Sequence, residues 1–132
     1  MQFLLITAIT GAALASAIEK RGATHNGVAT YYTQDGNAGS CGQYHSDSDY
    51  IVAISEQAPF TYNAHCGQTV TITNMGGGDN NYGNGKTITA TVADTCPECD
   101  PNHLDLSEGA FKALTGGQLD PPGEFNIRWH LN

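Results

Sequence analysis

The sequence predicts a small all-β domain, most simply a closed barrel of short strands. Helical periodicity is nearly absent, whereas short runs of β-branched and aromatic residues alternate with clusters of Gly, Asn and Asp. No parallel strand–helix–strand rhythm occurs, and only one segment has the signals of a helix. The 132-residue chain is long enough for one domain with one modest core.

Five segments have the composition of strands. They are GVATYYT (27–33), YIVAIS (50–55), TVTITN (69–74), TITATVAD (87–94) and EFNIRWHL (124–131). The last has an apolar residue at every second position from Phe125 to Leu131, the pattern of a strand with one buried face. The stretch 74–86, NMGGGDNNYGNGK, is rich in Gly and Asn and predicts an exposed, mobile hairpin loop.

One helix is predicted over EGAFKALT, residues 108–115. Ser107 is a favourable N-cap, an acidic residue lies in the first turn, and Gly116 follows the last turn. Leu106 and Phe111 occupy the two positions of a hydrophobic staple, which fixes the angle at which the chain enters a helix.

The N-terminal segment predicts secretion. Residues 1–17, MQFLLITAITGAALASA, combine a short apolar centre with small residues before a cleavage point, which is the layout of a signal peptide. Residues 18–21 end in the dibasic pair Lys20-Arg21, typical of propeptide processing, and leave 22–132 as a single domain. A membrane anchor is the alternative for the first segment, but its apolar run is too short to span a bilayer.

The chain is acidic, with a formal net charge of −8. After residue 21 its basic side chains, histidines aside, are Lys86, Lys112 and Arg128. An acidic surface repels nucleic acids and anionic lipids, so we expect a neutral or cationic partner and no binding to nucleic acid or membrane. We expect a secreted, extracellular monomer that needs no cofactor.

The four cysteines, Cys41, Cys66, Cys96 and Cys99, predict two disulfides in one of three connectivities. Cys96 and Cys99 stand in a Cys-x-x-Cys spacing that also occurs in zinc sites and redox couples. Zinc would need further ligands, for which Cys41 or His103 could serve. Secretion argues against free thiols, and no thioredoxin-type setting surrounds the pair, so a structural disulfide is favoured.

Asp94 and Asp105 flank the Cys-x-x-Cys pair. Paired carboxylates are the usual tools of chemistry at glycosidic bonds. The alternative, favoured by spacing alone, is that Asp94 satisfies turn amides and Asp105 complements the N-terminus of the helix. The helix would stabilise the ionised form of Asp105, which suits a hydrogen-bond acceptor better than a proton donor.

Histidines and aromatic residues give weaker signals. The five histidines show no metal-ligand spacing, so no metal site is expected. Aromatic side chains are more often part of a core than of a ligand site, but some could form a sugar-stacking platform. The candidates are Tyr31, Tyr32, Tyr44, Tyr50, Tyr62, Tyr82 and Trp129.

Five motifs carry a resemblance to a known family: GVATYYT, SCGQY, CGQTVTI, VADTCPECDPNHLDLSEGAF and GEFNIRWHL. In this order they resemble the double-psi β-barrel of the expansin and rare-lipoprotein-A-like superfamily, and they are most similar to single-domain fungal loosenins. The resemblance covers nearly all of residues 27–131. It implies an all-β, six-stranded double-psi β-barrel with one or two short helices.

Expansins loosen cell walls without hydrolysis, so the resemblance implies a protein that binds cell-wall polysaccharide, such as cellulose, chitin or a related glucan, in a shallow groove. Thr30 matches the Thr of the family's first-strand motif, and Asp94 matches an acidic residue of the groove. Asp105 matches the Asp of the His-Phe-Asp-Leu motif. The position two residues after Asp94, often aromatic in the family, is Cys96 here.

The resemblance extends to residues around these three and to the disulfides. It implies that neighbouring side chains contribute to substrate binding, namely Tyr31, Tyr32 and His103. It also implies that the disulfides join Cys41 to Cys66 and Cys96 to Cys99.

Two alternative functions use the same barrel. Family 45 glycoside hydrolases place a second Asp in the first-strand motif, where this chain has Thr33, so hydrolysis is not expected. A lytic transglycosylase or glycosidase with Asp105 as the acid is one alternative. The other is an inhibitor of papain-like proteases, for which the loop 74–86 is the candidate contact.

Overall fold

The computed structural model describes residues 23–57 and 65–132. The predicted signal peptide (1–17) and propeptide (18–21) lie outside the described residues and stay predictions. The elements are β1 (His25–Tyr32), β2 (Ile51–Ser55), β3 (Thr69–Gly76), β4 (Thr87–Cys96), β5 (Leu104–Ser107), α1 (Glu108–Thr115) and β6 (Phe125–Leu131). A 3₁₀ turn, Asp79–Asn81, lies in the β3–β4 connection.

The six strands close into a barrel in the order β1-β5-β2-β4-β3-β6. The β1–β5 and β2–β4 pairs are parallel, and the other pairs are antiparallel. The predicted all-β, six-stranded class is confirmed, and the five predicted strands are present with bounds shifted by a residue or two. Strand β5 was missed, because its residues LDLS were assigned to the approach to the helix.

The core consists of the inward side chains of the barrel strands and one face of α1. Trp129 is completely buried there, its Nε1–H donates to the Asn102 carbonyl at 3.0 Å, and its ring stacks on His25 at 4.4 Å. The suggestion that Trp129 belongs to a sugar-stacking platform is therefore wrong. Burying the largest aromatic side chain inside a small barrel contributes more to stability than exposing it would.

Helix α1 begins and ends as its sequence predicts. The Ser107 hydroxyl accepts a hydrogen bond from the Ala110 N–H at 3.3 Å, and Gly116 adopts the left-handed conformation with φ 73°. Leu106 and Phe111 are both fully buried, as the staple requires. These contacts dock α1 against the barrel directly after β5.

Two disulfides join Cys41 to Cys66 and Cys96 to Cys99, with Cα–Cα distances of 5.6 Å and 5.3 Å. The pairing is the one that the resemblance implies. Because every one of these sulfurs is bonded to another, none is left as a zinc ligand. Within residues 23–57 and 65–132, no group of three or more His, Cys, Asp or Glu is arranged to hold a metal ion. None of the helices described is long and apolar enough to cross a membrane.

The loop 74–86 is exposed at its tip but anchored at its base. Asn74 is fully buried, its Nδ2 donates to the Tyr82 and Leu114 carbonyls at 2.8 and 2.9 Å, and its Oδ1 accepts from the Gly76 N–H at 2.7 Å. A Cβ on Gly83 would lie 1.9 Å from the Leu114 carbonyl oxygen, so only glycine fits this approach. The expected mobile loop is therefore docked at its base on the end of α1.

Replacing Asn74 by Ala should destabilise the barrel by about 2–4 kcal/mol, because buried carbonyl and N–H groups lose their partners. Urea denaturation measures the free energy of unfolding. The matched control is Asn37→Ala, at an exposed loop position, which should change stability by less than about 0.5 kcal/mol. Equal effects of the two substitutions would contradict the anchoring role of Asn74.

Candidate functional site

A row of paired residues crosses the outer surface of the barrel from β1 to β4. Thr30 pairs with Asp105, Asp105 with Ala53, and Ala53 with Asp94. Directly paired residues share one face of a sheet, and the adjacent residues along β1 and β5 are core residues, so this row faces outward. With neighbouring strands about 4.8 Å apart, the row spans about 14 Å.

A bulge in β4 gives Asp94 its place in this row. Val52 pairs with Val92, but the next residue of β2, Ala53, pairs with Asp94, so Ala93 is an extra residue. Strict alternation after the core residue Val92 would direct Asp94 inward, because residues two apart on a strand lie on the same face. The bulge reverses that direction and brings the carboxylate to the outer face.

Thr30, His103 and Asp105 form a chain of hydrogen bonds. The Thr30 hydroxyl donates to Asp105 Oδ1 at 2.9 Å and lies 2.7 Å from His103 Nε2. A hydroxyl has a single hydrogen, so Thr30 accepts from His103, whose Nε2 then carries a proton. The chain orients the Asp105 carboxylate and presents it at the surface.

Burial raises the pKa of Asp105 above the ordinary value of an aspartate, and the nearby charge of Asp94 adds to this. The Thr30 hydrogen bond and the charge of His103 act in the opposite direction without cancelling the effect of burial. The net shift of the Asp105 pKa is therefore opposite to the one that the sequence predicted from the helix end. A carboxyl group with a raised pKa is better suited to donating a proton than that expectation allowed.

Asp94 is held by backbone amides. Its Oδ1 accepts from the Ser40 N–H at 2.9 Å and from the Thr95 N–H at 2.8 Å. A Cβ on Gly39 would lie 2.4 Å from the Ala93 carbonyl oxygen, so the turn at residues 39–42 packs directly on the β4 bulge. The sequence alternative that Asp94 satisfies turn amides is thus correct, and the same bonds fix the carboxylate in the outward row.

Tyr31 and Tyr32, both predicted to contribute to substrate binding, lie on different faces of β1. The Tyr31 ring packs edge-on against Phe111, with centroids 5.0 Å apart, and faces the core rather than the row. The Tyr32 phenol lies on the outer side, where burial and the charges of Asp94 and Asp105 raise its pKa. The structure therefore brings Tyr32 and His103 to Asp94, Asp105 and Thr30, and leaves Tyr31 out of the group.

Two residues near the row were not assigned to it from sequence. Gln34 is 6% exposed, and its side chain lies beside the Tyr32 phenol. Glu108 accepts a hydrogen bond from the Thr33 hydroxyl at 2.8 Å, although the sequence indicated only a helix-end role for it. Gln34 continues the two-residue alternation of Thr30 and Tyr32 beyond the end of β1, and that periodicity was the available signal.

A pocket of about 160 Å³ lies beside the Cys41–Cys66 disulfide, and one of about 230 Å³ lies at the start of α1. Neither is lined by Asp94, Asp105 or Thr30. The row of polar residues is thus a feature of the barrel surface that differs from these two pockets. Such a surface suits an extended ligand better than a small enclosed one.

Asp105→Asn should make the protein more stable than wild type at pH 7. The folded-state pKa of Asp105 is raised, so the protonated form of this carboxyl group is more favourable for the folded protein than the ionised form. Its contribution to the free energy of unfolding is complete below the unfolded-state pKa and is lost as the pH rises through the folded-state pKa. The advantage of the variant should therefore be largest above the folded pKa and should shrink as the pH falls towards about 3.9.

Thermal unfolding of both proteins between pH 3 and 7 measures this difference. The control is Glu124→Gln, which removes one negative charge from an exposed side chain and reports the general effect of lowering net charge. If the rise in melting temperature of Asp105→Asn is independent of pH, or equals that of Glu124→Gln, the raised pKa of Asp105 is contradicted.

Comparison with protein-family models finds no match. Among characterised proteins, the papain inhibitor of Streptomyces mobaraensis is 38% identical over 120 residues, which cover 83% of this chain and 77% of that protein. A ripening-related protein of Oryza sativa is 32% identical over 80% of this chain and 66% of its own length.

Solved structures of an expansin and of a papain inhibitor are also similar to this chain. An expansin of Clavibacter michiganensis superposes with a TM-score of 0.64 and 30% identity, over 83% of this chain and 50% of the expansin. This chain therefore spans about half the length of that protein, which has also been solved as a variant in complex with cellohexaose. The Streptomyces papain inhibitor superposes with a TM-score of 0.64 and 31% identity, over 84% of this chain and 96% of the inhibitor.

Proposed function

Because this chain belongs to the expansin-related double-psi β-barrel proteins, we propose that it is secreted, binds cell-wall polysaccharide and loosens it without hydrolysis. The observation that carries the proposal is the outward row from Thr30 through Asp105 to Asp94. The complex of a related expansin with cellohexaose supports a glucan as the ligand. Two disulfides in a small domain are typical of secreted proteins.

The two carboxylates act as acceptors for glucan hydroxyl groups. Asp105 is oriented by the Thr30 hydroxyl, and Asp94 by two backbone N–H groups, so neither needs to be ordered when the ligand binds. Packed polysaccharide chains are held together by hydroxyl hydrogen bonds. A protein that offers fixed acceptors competes for those hydroxyls and separates the chains without breaking a covalent bond. The acidic surface is compatible with a neutral polymer.

The arrangement favours binding over cutting. Inverting glycoside hydrolysis needs an acid and a base on opposite sides of the bond. The raised pKa of Asp105 suits the acid, but Thr33 stands where the related hydrolases are expected to carry the base. A lytic transglycosylase that uses Asp105 alone as acid and base is the alternative, and it differs by releasing new chain ends.

Asp105→Ala should weaken binding to the polysaccharide by about tenfold or more, because hydrogen bonds to a charged group contribute about 1.5–3 kcal/mol. A pull-down on cellulose, chitin and β-glucan measures binding, and chain-end release is assayed in the same tubes. Wild type should bind without releasing chain ends. Glu124→Ala, at an exposed position, is the matched control and should bind normally.

If Asp105→Ala binds and loosens as well as wild type, the groove mechanism is wrong. If wild type releases chain ends and the variant does not, the lytic alternative replaces it. Circular dichroism of the variant shows whether the barrel is intact in either case.

Inhibition of papain-like proteases is the second candidate, favoured by the 38% identity to a papain inhibitor. The contact that we infer for this function is the loop 74–86. Its exposed tip contains Asn80 and Asn81 with φ values of 55° and 48°, and its base is fixed by Asn74. A protruding loop with a fixed base suits insertion into a protease cleft, because little conformational entropy is lost on binding.

If this chain inhibits papain, Asp79→Arg at the exposed loop tip should weaken inhibition by about tenfold, since a rim charge reversal and added bulk oppose docking. Asp105→Ala should inhibit as well as wild type. Residual papain activity at increasing protein concentration measures both. Loss of inhibition in Asp105→Ala but not in Asp79→Arg would place the contact on the groove instead.

A further inference from the structure

The half of the barrel that carries the outward row has acidic side chains and no Lys or Arg. Strands β1, β5, β2 and β4 are neighbours in the barrel, and with the segments that join β1 to β2 and β4 to β5 they lie in residues 23–57 and 87–107. A surface with charges of one sign attracts partners of the opposite sign. The acidic residues of these two ranges are Asp35, Asp47, Asp49, Glu56, Asp94, Glu98, Asp100 and Asp105.

The basic residues after residue 21 lie on other parts of the molecule. Lys86 directly precedes β4, Lys112 is on α1, and Arg128 is on β6. The Arg128 Nε donates to Asn26 Oδ1 at 3.4 Å, four residues along β1 from Thr30, which is about 13 Å. In the described part of the chain, neither carboxylate of the row forms an ion pair with Lys or Arg. The protein therefore leaves the negative charge of the row without a Lys or Arg counter-charge.

Asp105 keeps one carboxylate oxygen for a ligand. Its Oδ1 accepts from the Thr30 hydroxyl at 2.9 Å, whereas its Oδ2 has no hydrogen-bond partner among the described residues and, unlike the Tyr32 hydroxyl, is not sealed from solvent. The charge of Asp94 raises the pKa of Asp105, so the two carboxylates repel each other along the row. His103 is the neighbouring side chain that can carry a positive charge, and it reaches Asp105 only through the Thr30 hydroxyl. A cationic ligand would relieve the repulsion between the carboxylates.

An amino sugar supplies such a cation. A protonated amine has three hydrogens to donate, and its hydrogen bond to a carboxylate is about twice as strong as one between neutral groups. A hydroxyl or an acetamido group carries no charge. Asp94 and Asp105 lie two strand spacings apart, about 10 Å, which is on the scale of a disaccharide. Alternate units of a β-1,4-linked chain present the same substituent on the same side, so one chain can offer an amine to each carboxylate.

We propose that the outward row binds a cationic polysaccharide, a β-1,4-linked chain that contains glucosamine, as in deacetylated chitin, whose ammonium groups donate to Asp94 and Asp105. This inference rests on the proposed polysaccharide-binding function and names the substrate class. A basic protein is the other kind of cationic partner. The complex of a related expansin with cellohexaose favours a sugar chain over a protein at this surface.

Isothermal titration calorimetry with β-1,4-linked hexamers of glucosamine, N-acetylglucosamine and glucose tests the inference, because the three ligands have the same length and differ in one substituent. The measurement is made at about pH 6, where an amine with the pKa of an α-amino group is protonated. The glucosamine hexamer should bind wild type about tenfold more tightly than cellohexaose. Raising the ionic strength to about 1 M should remove most of this difference and change cellohexaose binding little.

Asp105→Asn and Asp94→Asn each remove one charge and keep the size of the side chain. Each variant should bind the glucosamine hexamer about tenfold more weakly, and the loss for cellohexaose should be smaller, because an amide oxygen still accepts from a hydroxyl. The matched control is Asp120→Asn, at an exposed position outside the acidic half. It should change each affinity by less than about twofold, because a screened surface charge contributes little.

A hexalysine peptide has the charge of the glucosamine hexamer without its sugar rings. It should bind about tenfold more weakly than the hexamer, because its flexible side chains lose more conformational entropy on binding. If it binds as tightly, the surface selects a cation without a sugar, and a basic protein replaces the polysaccharide as the partner.

The remaining outcomes separate this inference from the proposed function. If cellohexaose or chitohexaose binds as tightly as the glucosamine hexamer, the cationic class is wrong and the proposed function stands. If Asp120→Asn loses as much affinity as the two row variants, or if those variants lose none, net charge rather than the row attracts the ligand. Binding to none of the three hexasaccharides removes the proposed function as well.

Discussion

The four-residue strand β5 is the element on which the rest of the molecule depends. It pairs in parallel with β1 and antiparallel with β2, so the barrel is closed at this point by its shortest strand. Leu104 and Leu106 enter the core, and Ser107 caps α1 while its hydroxyl also accepts from the Ile51 N–H at 3.2 Å. The residue between the two leucines, Asp105, is consequently directed outward.

Because inward and outward side chains alternate along β5, closure of the barrel also fixes the position of the candidate site. Each inward residue of β5 lowers the free energy of the fold by burying apolar surface, and each outward residue is placed with the accuracy of the barrel itself. Sites on strands are positioned more accurately than sites on loops, which matters for a surface that binds through oriented hydrogen bonds. The bulge at Ala93 gives Asp94 the same accuracy on β4, at the cost of one unpaired residue in the ladder.

The candidate site is held in a state that is unfavourable for the fold alone. Burial opposes the charge of Asp105 and raises the pKa of its carboxyl group. Binding sites commonly carry such local destabilisation, because groups that are fully satisfied by the protein have nothing to offer a ligand. The disulfides and the buried Trp129 supply stability elsewhere in the barrel.

The sequence by itself determined the elements whose signals are local. Composition predicted five of the strands, Ser107 and Gly116 predicted both ends of the helix, and the family motifs pointed to Thr30, Asp94 and Asp105. Tertiary structure alone decided what depends on pairing between distant residues: that LDLS is a strand, that Tyr31 rather than Tyr32 faces the core, and that burial raises the pKa of Asp105. The physical reason is that strand register and burial are set by partners far away in the chain, which no local pattern contains.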